Sequence, residues 1–183
     1  MLGITGPPGA GKSTLAEAIV DSVGAYAVHV PMDGFHLADV ELSRLALLDR
    51  KGAIDTFDGY GLLSLLRRIR RQETETVYAP AFQRDIEQPI AGSIPVLPQA
   101  RLVVTEGNYL LADEKPWPQV REVLTETWFV DVEPKRRRSR LIARHVEFGK
   151  SPAQAEAWVC GVDEPNAARI ERVRQKADLV VTL

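Results

Sequence analysis

Cysteine is nearly missing from this chain: Cys160 is the single one among 183 residues. That excludes an internal disulfide and a cysteine-built zinc site. With no nearby base to activate it, Cys160 reads as a small buried apolar residue. Such usage suits a reducing cytoplasm, the expected location. No apolar run approaches the length of a spanning helix, so no membrane association is expected. The chain does not open on a basic segment followed by an apolar one, so no secretory leader is expected. Met1 abuts the first strand so closely that the start reads as trimmed or displaced. An excess of charge is lacking as well. The formal net charge of −2 gives no general attraction to nucleic acid or anionic membranes. The three histidines, His29, His36 and His145, show no metal-ligand spacing. Repeats, low-complexity tracts and linkers are absent, so one domain spanning 1–183 is expected.

What is present is concentrated near the start. Gly6-Pro7-Pro8-Gly9-Ala10-Gly11-Lys12-Ser13 fills every fixed position of the pattern G-x-x-x-x-G-K-[ST]. Glycines let backbone N–H groups turn inward around phosphate oxygens. Lys12 can reach the β- and γ-phosphates, and the Ser13 hydroxyl can ligate Mg²⁺. The apolar run Leu2-Gly3-Ile4-Thr5 suits a buried strand, and Leu15, Ala18, Ile19 and Val20 recur at helical spacing. The loop therefore sits between strand and helix, with Thr14 in the first helical turn and the helix N-terminus aimed at an anion. Gly6 to Thr14 is the expected site for ATP.

The rest of the chain alternates. Strands are expected at 25–30, 102–105, 128–132 and 179–183. Helices are expected at 39–49, 61–71, 120–125, 134–148, 153–160 and 166–176. Residues 76–98 carry Pro80, Pro89, Pro95 and Pro98 and read as a loop or small irregular hairpin. Such alternation argues for a three-layer α/β/α fold of the P-loop NTPase type, with a five-stranded, mostly parallel sheet. Ligands in such a sheet bind at the carboxyl ends of the strands.

Two carboxylates stand at those ends. Glu106 closes the strand 102–105 and can hold Mg²⁺ or its waters opposite the loop. Asp33 follows the second strand and could accept a proton from an attacking hydroxyl. Asp58 serves equally well as a helix cap or a substrate ligand. Arg136, Arg140 and Arg144 form a stripe on the helix 134–148, with Arg137 at its edge. Most of that stripe is an ordinary solvated face, yet phosphoryl transfer needs a cation near the γ-phosphate. Arg67, Arg68, Arg70 and Arg71 read as solvated. His36, just after the Asp33 turn, reads as structural, with contact to substrate as the alternative, and Trp117, Trp128 and Trp158 as core or rim.

The phosphate loop, Asp33-Gly34-Phe35, Asp55-Thr56-Phe57-Asp58, Tyr78, Glu106-Gly107 and the arginine-rich helix together resemble the uridine kinase, phosphoribulokinase and type I pantothenate kinase family. The likeness covers essentially the whole chain. Tyr78-Ala79-Pro80-Ala81-Phe82 and Glu106-Gly107-Asn108-Tyr109 most resemble bacterial proteins labelled sugar or fructose kinases. The resemblance implies a helical lid over about 134–152 and an irregular substrate-binding segment over about 52–98. It implies Asp33 as catalytic base, Glu106 as metal support, Arg144 as the lid's catalytic arginine with Arg140 next, and Tyr78, Asp55 and Asn166 at the acceptor. Gln83 falls where the family's uridine and pantothenate kinases resemble one another in a histidine, and Leu141 where the pantothenate enzymes have a tyrosine.

These readings converge on an ATP- and Mg²⁺-dependent kinase acting on a small-molecule hydroxyl, with Lys12, Asp33 and Arg144 as its catalytic residues. A sugar- or polyol-like acceptor is favoured, met by Asp33, Asp55, Tyr78, Gln83, Arg84, Asn166 and Arg140. Uridine, another nucleoside or pantothenate is the alternative acceptor. A regulatory P-loop NTPase is the alternative of another class, though no Asn/Thr-Lys-x-Asp guanine-reading motif is found. Expected partners are the acceptor and, at most, a second copy of the chain.

Overall fold

β1 (Leu2–Thr5) is buried along its whole length, and its alternation explains the layering around it. Leu2 and Ile4 join one apolar cluster with Ala10, Ala16, Val104 and Val130. Gly3 faces the other way, where a Cβ would sit 2.5 Å from Leu124 and 3.5 Å from Leu110. A strand buried on both faces must be central, and β1 is. The computed structural model describes residues 1–71 and 74–183.

The chain runs from β1 through α1 (Lys12–Val23) to β2 (Ala27–His29), α2 (Asp39–Arg44) and α3 (Gly59–Arg70). A hairpin follows, β3 (Val77–Gln83) and β4 (Gln88–Val96), then β5 (Leu102–Glu106), α4 (Trp117–Val123) and β6 (Glu126–Asp131). α5 (Pro134–Glu147), α6 (Pro152–Trp158), a π-helical turn (Val159–Asp163), α7 (Glu164–Glu171) and β7 (Leu179–Thr182) complete it. The main sheet has the order β2-β5-β1-β6-β7. Its four pairings are all parallel, so "mostly parallel" sharpens to wholly parallel. The chain leaves β1 for the sheet edge and later returns to its other side. The crevice beyond the carboxyl end of β1 is therefore a switch point, where such sheets bind ligands.

α1 covers one face of the sheet. α3 and α4 cover the other, through Leu62, Leu66, Trp117, Val120 and Phe129, all at most 2% exposed. The hairpin at 76–98 is antiparallel, with a register irregularity between Ala79 and Ala81 at Pro80. Its inward residues Val77, Ala79 and Val96 pack with Val30 and Val103. Among the described residues, no helix is long and apolar enough to cross a membrane.

Two expectations change. Cys160 is exposed, because it sits on the outer side of the π-helical turn. Arg137 is buried, 5% exposed, and pairs with Glu164 instead of lying on a solvated edge.

Candidate functional site

The phosphate loop's shape depends on glycine at positions where other residues would be strained. Gly6, Gly9 and Gly11 have φ of 151°, 78° and 96°. A Cβ on Gly9 would lie 2.8 Å from Leu141 Cγ and 3.1 Å from the Arg137 carbonyl oxygen. Helix α5 therefore rests on the loop. Its start is set by Pro134 in the first turn and by Glu133, whose carboxylate accepts from Lys135 and Arg136 N–H at 3.1 and 2.9 Å.

Lys12 crosses the mouth of the loop. Its ammonium donates to the Pro7 carbonyl at 3.1 Å and to Asn108 Oδ1 at 2.7 Å. Burial lowers its pKa to about 8, with Glu106 and Asp33 pulling it back up. An ammonium so desolvated gains strongly from an arriving anion. Asn108 appeared in the sequence only as part of a resemblance, and its role here was missed. Its position two residues beyond the carboxyl end of β5 was the available signal.

Ser13 Oγ donates to Glu106 Oε1 at 3.0 Å. Burial pushes the Glu106 carboxyl up, but the His29 imidazole, the Lys12 ammonium and the Ser13 hydroxyl outweigh it and hold it low. His29 Nε2 lies 3.7 Å from Glu106, too far to hydrogen-bond, and is a buried nitrogen without a partner among the described residues. One hydroxyl, one carboxylate and a loop of amides fit a hydrated Mg²⁺ that shares phosphate oxygens. No group of three or more His, Cys, Asp or Glu among the described residues could hold a metal alone.

Asp33 sits in the 3₁₀ turn Met32–Phe35 that follows β2. Gly34 is needed there because a Cβ would lie 2.3 Å from the Pro80 carbonyl oxygen, so the hairpin packs directly on this turn. His36 Nδ1 meets the Asp33 carbonyl at 2.8 Å, and its ring lies 4.0 Å from Phe57 and 4.7 Å from Phe82 by centroid. Burial lowers the His36 pKa against the raising effect of the Asp33 charge. An imidazole donating from Nδ1 thus braces the turn. The same ring lines the cavity, so both readings of His36 have a contact behind them.

All of this opens into one cavity of about 1200 Å³, room for two ligands. Pro8, Gly9, Gly11, Lys12, Ser13 and Thr14 line one side; Gly6, Pro7 and Ala10 lie behind them. Asp33, Glu106, Arg84, Arg140, Arg144 and Asn166 also line it. Burial, then the charge of Arg84, lowers the Arg144 pKa.

Three expected acceptor residues are not brought to the cavity. Tyr78 is 60% exposed, because strand alternation turns Val77 and Ala79 inward instead. Gln83, at the end of β3 beyond the register irregularity, is exposed as well. Asp55 is half-exposed and pairs with Arg50 at 3.0 Å. Asp58 resolves as a cap, accepting from Gly61 N–H at 2.7 Å. Phe82 and Lys51 were missed as lining residues, since the turns near them leave no periodic trace.

The chain was compared with known proteins. The model of the phosphoribulokinase/uridine kinase family matches residues 1–183. The ATP-dependent kinase-like protein notR' of Aspergillus versicolor is 36% identical over 152 residues, covering 78% of this chain and 88% of that protein. A Silicibacter crystal structure, titled a "putative fructose transport system kinase", is 36% identical with a TM-score of 0.86, covering 98% of this chain and 88% of that one. YFH7 from Saccharomyces cerevisiae shares the fold at a TM-score of 0.86 and 17% identity, covering 100% and 91%.

Proposed function

Because the chain belongs to the phosphoribulokinase/uridine kinase family of P-loop ATP-dependent kinases, we propose that it moves the γ-phosphate of ATP to a hydroxyl of a small sugar- or polyol-like metabolite. The observation that carries this is the meeting of Lys12, the Ser13–Glu106 pair and Asp33 in one cavity large enough for two substrates. A switch NTPase needs no second compartment and no further carboxylate placed to take the proton of an acceptor hydroxyl.

The residues divide the work. The loop amides and Lys12 hold the β- and γ-phosphates, and Asn108 aims Lys12 at them. Ser13 and Glu106 would hold the cation. Mg²⁺ there would supply charge that neutralises the phosphates. Asp33 orients the acceptor hydroxyl and takes its proton as that oxygen attacks phosphorus. Arg144, whose guanidinium has no ion pair among the described residues, is placed to meet charge as it shifts toward the leaving oxygen.

The acceptor class is supported by the departure at Leu141, a lining residue of the cavity, which removes a group that pantothenate would use; Gln83, outside the cavity, does not bear on it. Leu141 supports it further by being wholly buried against the loop. Release of ADP from MgATP, measured over a panel of sugars, polyols, nucleosides and pantothenate, tests this reading. We expect a sugar or polyol to raise ADP release well above the rate without acceptor. Efficient turnover of uridine or pantothenate, far above every sugar, would overturn the acceptor class.

A further inference from the structure

Of the three arginines that line this cavity, Arg84 and Arg144 come from different elements, and neither has adequate counter-charge. Arg144 comes from α5, and its guanidinium has no hydrogen bond or ion pair among the described residues. Arg84 comes from the tip of the β3–β4 hairpin, and its nearest carboxylate, Asp33, lies 3.7 Å away. That is beyond hydrogen-bonding range, between side chains 41% and 30% exposed, so the pair is weak. By contrast, Lys51 on the same wall is satisfied. It meets Asp39 Oδ1 at 2.6 Å and the Glu87 carbonyl, and so straps the hairpin tip to α2.

The walls assign the two arginines to different ligands. α5 rests on Gly9 through Leu141, and Arg140 lies beside Gly11, so Arg144 belongs to the nucleotide side. Arg84 stands among Asp33, His36, Phe57 and Phe82, on the acceptor side. Resting on the kinase reading above, we infer that the acceptor is a hydroxylated anion, its carboxylate or phosphate group taken by Arg84 while Asp33 takes the reacting hydroxyl.

The chemistry of that wall matches both ends of such a molecule. Asp33 and Glu87 offer carboxylates that accept hydrogen bonds from hydroxyls, and Arg84 offers a forked donor that fits a carboxylate or phosphate in two bonds. In the transfer step the acceptor O–H gives its proton to Asp33 and its oxygen bonds to the γ-phosphorus. The bond from phosphorus to the ADP oxygen breaks, and its electron pair leaves on ADP. The anionic group is unchanged, and the repulsion between Arg84 and Arg144 is relieved by the charge between them.

Matched probes test this: glycerol, glycerate and glycerol 3-phosphate, and ribitol, ribonate and ribose 5-phosphate. Their binding to the protein with MgADP, and their stimulation of ADP release from MgATP, are measured on wild type and on Arg84→Gln. The charged members are expected to surpass the neutral one by about tenfold or more in Kd or kcat/KM, as for a charge-assisted paired contact. Comparison of the carboxylate and phosphate members identifies the source of the anion. In Arg84→Gln that preference should collapse while the KM for ATP holds. The inference is overturned if the neutral polyols are preferred, if Arg84→Gln leaves the preference intact, or if no charged probe binds. MgATP binding, measured separately, keeps the kinase reading distinguishable from each of these results.

Discussion

Lys12 is the residue on which the nucleotide side turns, and Asn108 is what aims it, through a 2.7 Å bond. Asn108→Ala should raise the KM for ATP several-fold while leaving the fold intact, since the ammonium loses its guide but not its charge. An unchanged KM would mean that the Pro7 carbonyl suffices to aim it. Asp33→Asn should keep ATP binding and lower turnover by about two to four orders of magnitude, the usual loss for a positioned base. Weakened ATP affinity instead would make Asp33 a metal ligand first. Arg144→Ala should depress kcat more than ATP affinity, whereas Arg67→Ala, on the exposed face of α3, should change neither. Most of these residues were legible in the sequence, because the phosphate loop is contiguous and strand ends announce themselves. Asn108 and Lys51 were not, because their partners lie 96 and 12 positions away in the chain. Tyr78 misled for a local reason: a two-residue period decides its direction, and the Pro80 irregularity obscures that period.

α3 illustrates how an element is set by its ends and its inner face. Asp58 caps it, and Leu62 and Leu66, four apart, are wholly buried against α4 and the sheet. Asp58→Ala should therefore cost about 1 kcal/mol of stability, as lost caps do, and leave kinetics alone. Leu66→Ala should cost about 2–5 kcal/mol through the cavity it leaves. Denaturant unfolding checks both, and a kinetic defect in a stable Asp58→Ala would restore the substrate reading. The periodicity of this helix was plain, although it starts two residues earlier than the pattern suggested. The lid region was harder to read. Arginine at four-residue spacing on α5 looks solvated, yet Arg137 is drawn inward by Glu164, a partner on another helix that no local pattern reveals. The hairpin's prolines sit within a two-stranded ladder whose register shifts at Pro80, and each strand's free edge tolerates them.

At the scale of the molecule, the parallel sheet brings β1, β2 and β5 to one crevice, and the hairpin and α5 wall it on either side. The place of that crevice at the carboxyl ends of the strands followed from the β/α alternation, whereas its walls depended on tertiary packing. MgATP at 100 times its Kd should stabilise the folded chain by about 2.7 kcal/mol, by mass action alone. The central claim is transfer to an acceptor by way of Asp33. Phosphorus NMR of a reaction holding MgATP and the best acceptor of the panel tests it most directly, in wild type and in Asp33→Asn. The account predicts a new phosphoester signal that grows in step with ADP in wild type and is nearly absent in the variant. Growth of inorganic phosphate alone, at a rate indifferent to acceptor and to Asp33, would contradict it.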